Sequence, residues 1–262
     1  VKAGALFVLN HSGGKDSQAM MIRVLEVVPR GQLVVVHATL GEVEWEGALE
    51  LAKKQAFDAG VTFLVAKAPK TFIELVQHRA RTRPDAPAFP QSSNRQCTSD
   101  LKRDPIMTTV RRLTKHLGLK RVVTCMGLRA AESSKRAQMK TWSRSTRGSK
   151  AGREWFEWLP VHALPTSEVF ETIRTAGQQP HWAYGAGNER LSCVFCIMGS
   201  PNDARVGAIH RPDLFRQYVE LEKATGYTCH QSRKTLEEVA GLTVEQAFAE
   251  HKRRLTVIGG AS

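Results

Sequence analysis

The sequence contains no apolar run that approaches the roughly 20 residues needed to cross a bilayer, and it shows no secretory signal peptide. Internal repeats and low-complexity segments are also absent. The chain has 262 residues, of which 42% are hydrophobic, so it can bury a sizeable core. These features exclude an integral membrane protein and a repeat protein, and we expect a cytoplasmic chain with no membrane partner.

Acidic residues are scarce. There are 25 Asp and Glu against 38 Lys and Arg, which gives a net charge of +13. The excess is concentrated in Lys102–Arg121, with seven basic residues and one acid, and in Arg129–Arg153, with eight and one. Such bias predicts a polyanionic partner, DNA or tRNA, along the basic stretch 102–153. A basic protein without a nucleic-acid role is the alternative, and a bound ATP would account for part of the charge.

The sequence has five cysteines, and in a chain expected to be cytosolic we do not expect them to form disulfides. Cys125 lies inside an apolar run and is predicted to be a core residue. Cys193 and Cys196 form a C-x-x-C pair, which suits one edge of a metal site or cluster. The pair is also compatible with zinc or with a redox dithiol, although the thioredoxin-type strand and helix expected around a dithiol are missing.

The first 130 residues alternate between buried strands and helical patterns, which favours a parallel sheet covered on both faces. The change in pattern along the chain predicts a nucleotide-binding domain over 1–155 and a C-terminal mixed or helical region over 156–262. Residues 129–153 are predicted to form a mobile loop or hairpin. The four predicted strands read GALFVLN, QLVVVHATL, VTFLVAKA and KRVVTCMGL.

The segment HSGGKDS follows the first strand and opens the first helix. Glycines allow the backbone to approach an anion, while exposed amides and the helix dipole attract it. The spacing differs from the Walker pattern, which places four residues between its first glycine and G-K-[ST]. The sequence therefore predicts a phosphate site formed by Ser12, Gly13, Gly14, Lys15, Asp16 and Ser17.

This loop resembles the pyrophosphatase (PP) loop of the adenine nucleotide alpha-hydrolase superfamily. A second block, GLRAAESSKR, resembles the G-x-R-x-x-E-S-x-x-R pattern of the phosphoadenylyl-sulfate (PAPS) reductase-like branch. The resemblance implies a doubly wound, Rossmann-like α/β fold with a cysteine-containing C-terminal extension. It adds Gly127 and Arg129 to the nucleotide site, for ATP or adenylyl sulfate. The catalytic residues that it implies are Lys15, Asp16, Arg129, Glu132 and Arg136.

The segment around Cys97 is similar to the C-C-x-x-x-K-x-x-P segment of iron–sulfur adenylyl-sulfate reductases, with one cysteine retained. With the later C-x-x-C pair, the resemblance implies a [4Fe–4S] cluster that has three cysteine ligands. Cys229 is the best candidate for the fourth. An open iron site that binds sulfide or substrate is the alternative. The predicted metal ligands are Cys97, Cys193, Cys196 and Cys229.

Thiol-dependent reductases of this family carry a nucleophilic cysteine in an E-C-G-L-H tail, and this sequence ends in RRLTVIGGAS. We therefore expect an iron–sulfur enzyme similar to the sulfur-transfer proteins of DNA phosphorothioation and tRNA thiolation. It would bind ATP with Mg²⁺, adenylylate its substrate, release pyrophosphate and accept sulfur from a donor protein. The alternatives are a PAPS or adenylyl-sulfate reductase that uses an external thiol, and a non-catalytic nucleotide-sensing or nucleic-acid-binding subunit.

Overall fold

The computed structural model describes residues 4–259, which divide into two compact units. The first unit comprises the chain up to Thr39, Glu46–Ala68 and Lys102–His181. The second comprises Leu40–Trp45, Pro69–Leu101 and the chain from Trp182 onward. The boundary predicted at residue 155 falls inside a strand of the first unit, so residues 156–181 belong with the sheet.

Within residues 4–259 there are six strands and twelve α-helices. The strands are β1 (Leu6–Asn10), β2 (Leu33–Thr39), β3 (Thr62–Lys67), β4 (Arg121–Met126), β5 (Trp142–Arg144) and β6 (Glu154–Trp158). The helices are α1 (Lys15–Leu25), α2 (Ala48–Asp58), α3 (Phe72–Thr82), α4 (Gln96–Thr98), α5 (Asp104–His116), α6 (Ser134–Ala137), α7 (Thr166–Thr175), α8 (Trp182–Gly185), α9 (Pro201–His210), α10 (Pro212–Thr225), α11 (Leu236–Ala240) and α12 (Val244–Gly259).

The first unit is built on one sheet with the strand order β3-β2-β1-β4-β6-β5. Neighbouring strands are parallel except β5, which is antiparallel to β6. Leu6 and Val8 pack with α5 on one face, whereas Phe7 and Leu9 pack with α1 and α7 on the other. Because both faces are covered, the central strands β1, β2 and β4 are mostly apolar and buried. The predicted α/β fold with a parallel sheet is confirmed.

A proline divides one helical segment, and the basic stretch contributes one strand of a hairpin, as predicted. The helical segment 96–116 consists of α4, a π-helical turn at Ser99–Arg103 and α5, because Pro105 has no amide hydrogen and occupies the first turn of α5. Part of the basic stretch predicted as a loop or hairpin forms β5, which pairs with β6 through Trp142–Trp158 and Arg144–Phe156.

The second unit is helical. Its interior contains aromatic residues from α3, α10 and the C-x-x-C segment, with Phe72, Phe195, Phe215 and Tyr218 all buried. Helix α10 begins with Pro212 and ends at Gly226 in the left-handed region, at φ 71°, as typical for helix termini. None of the helices described in residues 4–259 combines the length and apolar character needed to span a bilayer.

Candidate functional site

The first candidate site lies at the carboxyl ends of β1 and β4, where the strand order reverses. Asn10, the last residue of β1, is in register with Met126, the last residue of β4. The loop after β1 carries Ser12–Ser17, and the chain after β4 carries Gly127–Arg136. Ligands of open α/β sheets bind in the crevice at such a reversal. The sheet thus brings the two predicted nucleotide blocks to one edge.

Two glycines are required by close backbone approach. Gly13 has φ 74°, and a side chain there would collide with the backbone of Ala48. A Cβ atom on Gly127 would lie 2.7 Å from the carbonyl oxygen of Asp16. Real Cβ atoms essentially never show such contacts. The loop therefore packs on α2 only with glycine at position 13, and the second block packs on the loop only with glycine at position 127.

A buried histidine, His11, accepts a hydrogen bond from the loop. The amide of Gly13 donates to Nδ1 of His11 over 3.0 Å, and Nε2 of His11 lies 2.5 Å from Oε1 of Gln55. Burial lowers the pKa of His11 to about 4, with His37 lowering it further and the Gln55 hydrogen bond opposing the shift. His11 is therefore neutral near pH 7, with Nε2 as donor and Nδ1 as acceptor.

The loop ends at the N-terminus of α1. Ser17 Oγ accepts from the amide of Ser12 over 3.2 Å and donates to the carbonyl of Gly14 over 2.8 Å. Gly14 precedes the helix without a side-chain cap. An uncapped N-terminus presents its amides and the positive end of the helix dipole to an anion. The assignment of Ser12–Ser17 to a phosphate site stays a prediction, and this helix terminus is the feature that such a site would use.

Charged residues of both blocks meet at Asp16. Its carboxylate lies 3.3 Å from Nζ of Lys15 and 2.6 Å from Nε of Arg129. Arg129 is 4% exposed and also donates to the carbonyl of Leu164 over 3.2 Å. The Arg129 guanidinium, expected at the nucleotide phosphates, therefore binds the Asp16 carboxylate and orients it.

The remaining predicted residues of the second block continue this network. The Glu132 carboxylate accepts from the amide of Arg129 over 3.0 Å and forms an ion pair with Arg136. The carbonyl of Arg136 is 2.9 Å from Nε2 of His162. Lys15, Asp16, Arg129, Glu132 and Arg136 thus form one connected network beside the loop.

The second candidate site, in the second unit, contains the four predicted cysteine ligands. Cys193 and Cys196 lie in a turn that is joined to Val43 by the amide of Val194 over 2.9 Å. The Cys229 thiol lies 3.9 Å from the carbonyl of Phe195. In the sequence, Phe195 stands between the two cysteines of the C-x-x-C pair. Cys229 is buried, whereas the other three are half-buried.

Burial and nearby charges affect the Cys229 thiol. Desolvation raises the pKa of Cys229 well above its usual range, and Glu222, Cys196 and Cys97 raise it further. Nevertheless, among the residues described, no three His, Cys, Asp or Glu side chains are placed to hold a single metal ion. The four thiols therefore belong to one unit, and among the described residues they do not converge on one point.

Residues 7–198 match the phosphoadenosine phosphosulfate reductase domain. The chain belongs to this family. Members of this family are enzymes. The segment Ser12–Ser17, which resembles a pyrophosphatase loop, is called the PP-loop. Comparison with curated proteins gives no significant match.

Several solved structures match this chain at low sequence identity. The Candida auris phosphoadenylyl-sulfate reductase, in a phosphate complex, is 13% identical with TM-score 0.47, over 71% of this chain and 80% of that one. Candida glabrata FMN adenylyltransferase is 10% identical with TM-score 0.47, over 77% of this chain and 56% of that one. The U34-tRNA thiolase NcsA from Methanococcus maripaludis, with its [4Fe–4S] cluster, is 13% identical with TM-score 0.42, over 85% and 70%.

The sequence analysis did not identify three residues of the two candidate sites. His11 directly precedes the PP-loop, and that position was the available signal. Gln55 has no such signal, since it reaches His11 from α2. In the second unit, Glu222 accepts from the amides of Cys229 and Leu236 over 2.6 and 2.9 Å. The sequence signal for Glu222 was a single acidic residue among the apolar positions of the helix that became α10.

Proposed function

We propose that this chain is an ATP pyrophosphatase that adenylylates its substrate and supports sulfur transfer to it. The observation that carries the proposal is the junction of Lys15, Asp16 and Arg129 at the uncapped N-terminus of α1. This arrangement suits the phosphates of an adenine nucleotide. ATP is favoured over adenylyl sulfate because, among the described residues of this unit, the only thiol is Cys125, which is buried and whose pKa is raised by burial.

In the proposed reaction, ATP enters with Mg²⁺ as its counter-ion. A substrate oxygen attacks the alpha phosphorus, forming the new P–O bond while the bond to pyrophosphate breaks. The pyrophosphate leaves with the negative charge that develops on its bridging oxygen. The amides of the first turn of α1 and the ammonium of Lys15 offset that charge. Arg129 holds Asp16, and Asp16 in turn orients Lys15.

The proposal includes a [4Fe–4S] cluster held by Cys97, Cys193, Cys196 and Cys229. The four thiols fit this group because each would bind a different iron atom, so they need not converge on one point. Zinc requires that convergence, and the described residues do not provide it. A cluster bound by Cys97, Cys193 and Cys196 alone would keep one iron site open and able to carry sulfide, whereas Cys229 as the fourth ligand would close that site.

Pyrophosphate release from ATP tests the proposed reaction. Lys15→Ala is expected to lower its rate by about 10²–10³-fold, since it removes a donor aimed at the developing charge. Lys53→Ala, on the exposed face of α2, is the matched control and should retain the wild-type rate. Thermal melting of both variants checks that they are folded. Unchanged release by Lys15→Ala would overturn the assignment of the PP-loop to this step.

The family match also supports a second function, reduction of phosphoadenylyl sulfate or adenylyl sulfate by an external thiol. Incubation of the purified protein with either nucleotide and thioredoxin separates the two. Sulfite release would favour the reductase, whereas pyrophosphate release from ATP favours the proposed function. Nucleotide binding with neither product would indicate a non-catalytic nucleotide-sensing subunit.

We further propose a nucleic acid as the substrate, with DNA or tRNA as the candidates, and a sulfur-donor protein as a second partner. The indole of Trp142 is 47% exposed and stacks on Phe156 with ring centroids 5.6 Å apart. Arg144 lies two residues away on the same face of β5, and most basic side chains of 129–153 are exposed. An exposed ring among cations suits a stacked base and its phosphates.

A further inference from the structure

Tyr218 is held rigidly in the second unit, on the buried face of α10. Its side chain is fully buried, and its ring stacks on Phe72 at a centroid distance of 5.6 Å and an interplanar angle of 10°. Phe195 stands between the two cysteines of the C-x-x-C pair in the sequence, and its ring centroid is 5.2 Å from that of Tyr218. Two aromatic neighbours therefore restrict the ring, and with it the position of the hydroxyl.

The hydroxyl of Tyr218 has no hydrogen-bond partner among the residues described. A buried polar group without a partner is unfavourable, and native proteins seldom keep one. A phenylalanine would fill the same space without that cost. The hydroxyl is therefore expected to have a partner that is not an amino-acid side chain or backbone group of the described chain.

The surroundings of the hydroxyl indicate the chemistry of that partner. Phe195, whose ring contacts Tyr218, stands between Cys193 and Cys196 in the sequence. One helical turn after Tyr218 on α10, Glu222 accepts from the amide of Cys229 over 2.6 Å. Tyr218 thus packs beside the segments that carry three predicted cluster ligands, and its phenol can donate a hydrogen bond.

We propose that the Tyr218 hydroxyl donates a hydrogen bond to a sulfur atom of the iron–sulfur group, either a bridging sulfide or a ligating thiolate. This inference rests on the proposed cluster and names a residue outside its ligand set. Hydrogen bonds to cluster sulfurs raise the reduction potential, because they stabilise the more negative reduced state. They also hold ligands in place and increase metal retention. Tyr218 is thus a positioning and tuning residue.

The test uses the full chain purified without oxygen, with iron and acid-labile sulfide counted in each sample. Tyr218→Phe removes only the hydroxyl. Tyr227→Phe is the matched control, because its hydroxyl donates to the carbonyl of Pro84 over 3.4 Å, in the same unit. Tyr218→Phe should release iron to a chelator about tenfold faster than wild type. Its reduction potential should be more negative, whereas the control should match wild type in both measurements.

The outcomes separate this inference from the proposed cofactor. A wild-type protein that contains no iron and sulfide overturns the cluster and the role of Tyr218 together. A wild-type protein with the cluster, and a Tyr218→Phe variant that matches Tyr227→Phe, overturns only the role of Tyr218. A merely structural role predicts faster iron release with an unchanged reduction potential, and that result also overturns the inference.

Discussion

At the scale of single residues, His11 connects the PP-loop to the body of the first unit. It accepts from Gly13 and contacts Gln55, whose amide donates to the carbonyl of Gln18 over 3.1 Å and to Gln178 over 2.9 Å. The loop, α1 and α2 are thus joined through one neutral imidazole. Protonation of Nδ1 would replace its lone pair with a second donor and break the bond to Gly13.

The depressed pKa of His11 predicts a pH-dependent stability. An unfolded chain binds the proton near pH 6.5, whereas the folded chain binds it only near pH 4. Stability is therefore fully present above about pH 6.5 and is lost as the pH falls towards 4. The contribution of His11 amounts to about 3 kcal/mol. Urea unfolding of wild type and His11→Asn between pH 4 and 7 should show a smaller pH slope in the variant.

His116→Asn is the control for this measurement, since His116 is exposed on α5. Its unfolding free energy should vary with pH as in the wild type. If the curves of His11→Asn and wild type run parallel, the neutral buried imidazole is not the source of the slope.

At the scale of elements, α10 organises the cysteine unit. Tyr218 and Glu222 are one helical turn apart on its buried face, so one element contacts the region of the thiols through a hydroxyl and a carboxylate. Glu222 binds the amides of Cys229 and Leu236, which holds the segment between α10 and α11. Desolvation raises the pKa of Glu222, while these two amide bonds oppose the shift.

Removal of this carboxylate should destabilise the protein. Glu222→Ala leaves two buried amides without their acceptor, which costs about 3 kcal/mol by the usual worth of hydrogen bonds to charged groups. The free energy of unfolding in urea measures the loss. Glu220→Ala, two residues earlier on the exposed face of α10, should change it by less than about 0.5 kcal/mol. Equal effects of the two variants would contradict the role of Glu222.

At the scale of the whole molecule, the net charge of +13 dominates encounter with any polyanion. The basic residues between positions 102 and 153, which carry much of this charge, belong to the same unit as the PP-loop. A charged surface alone binds nucleic acid without regard to sequence, and that binding weakens steeply with salt. Trp142 would add a stacking contact that salt affects little.

Binding of a fluorescent single-stranded oligonucleotide at several salt concentrations tests this surface. Trp142→Ala should weaken binding about tenfold at every salt concentration, because one base loses its stacking partner. Arg144→Ala should instead reduce the slope of log K against log salt by roughly one unit. Trp182→Ala, which removes a comparably exposed indole of the second unit, is the control and should bind as wild type. Failure of the wild type to bind would remove nucleic acid as the proposed substrate.

The sequence alone predicted the alternation of strands and helices, the phosphate loop and the family. These features depend on local information, namely apolar runs, glycines beside a helix start and short motifs with defined spacing. Helix α7 and strand β6 were missed because their patterns are short and mixed, and tertiary pairing with β4 decides the strand.

What the sequence determined by itself is the set of chemical groups: a PP-loop, a second basic block and four cysteines in order. Only the tertiary structure decided which groups meet. Arg129 binds Asp16 across 113 positions of the chain, and the ring of Tyr218 packs on Phe195 of the C-x-x-C segment. Such contacts depend on strand order and side-chain packing, which join residues far apart in sequence and leave no periodic signal along it.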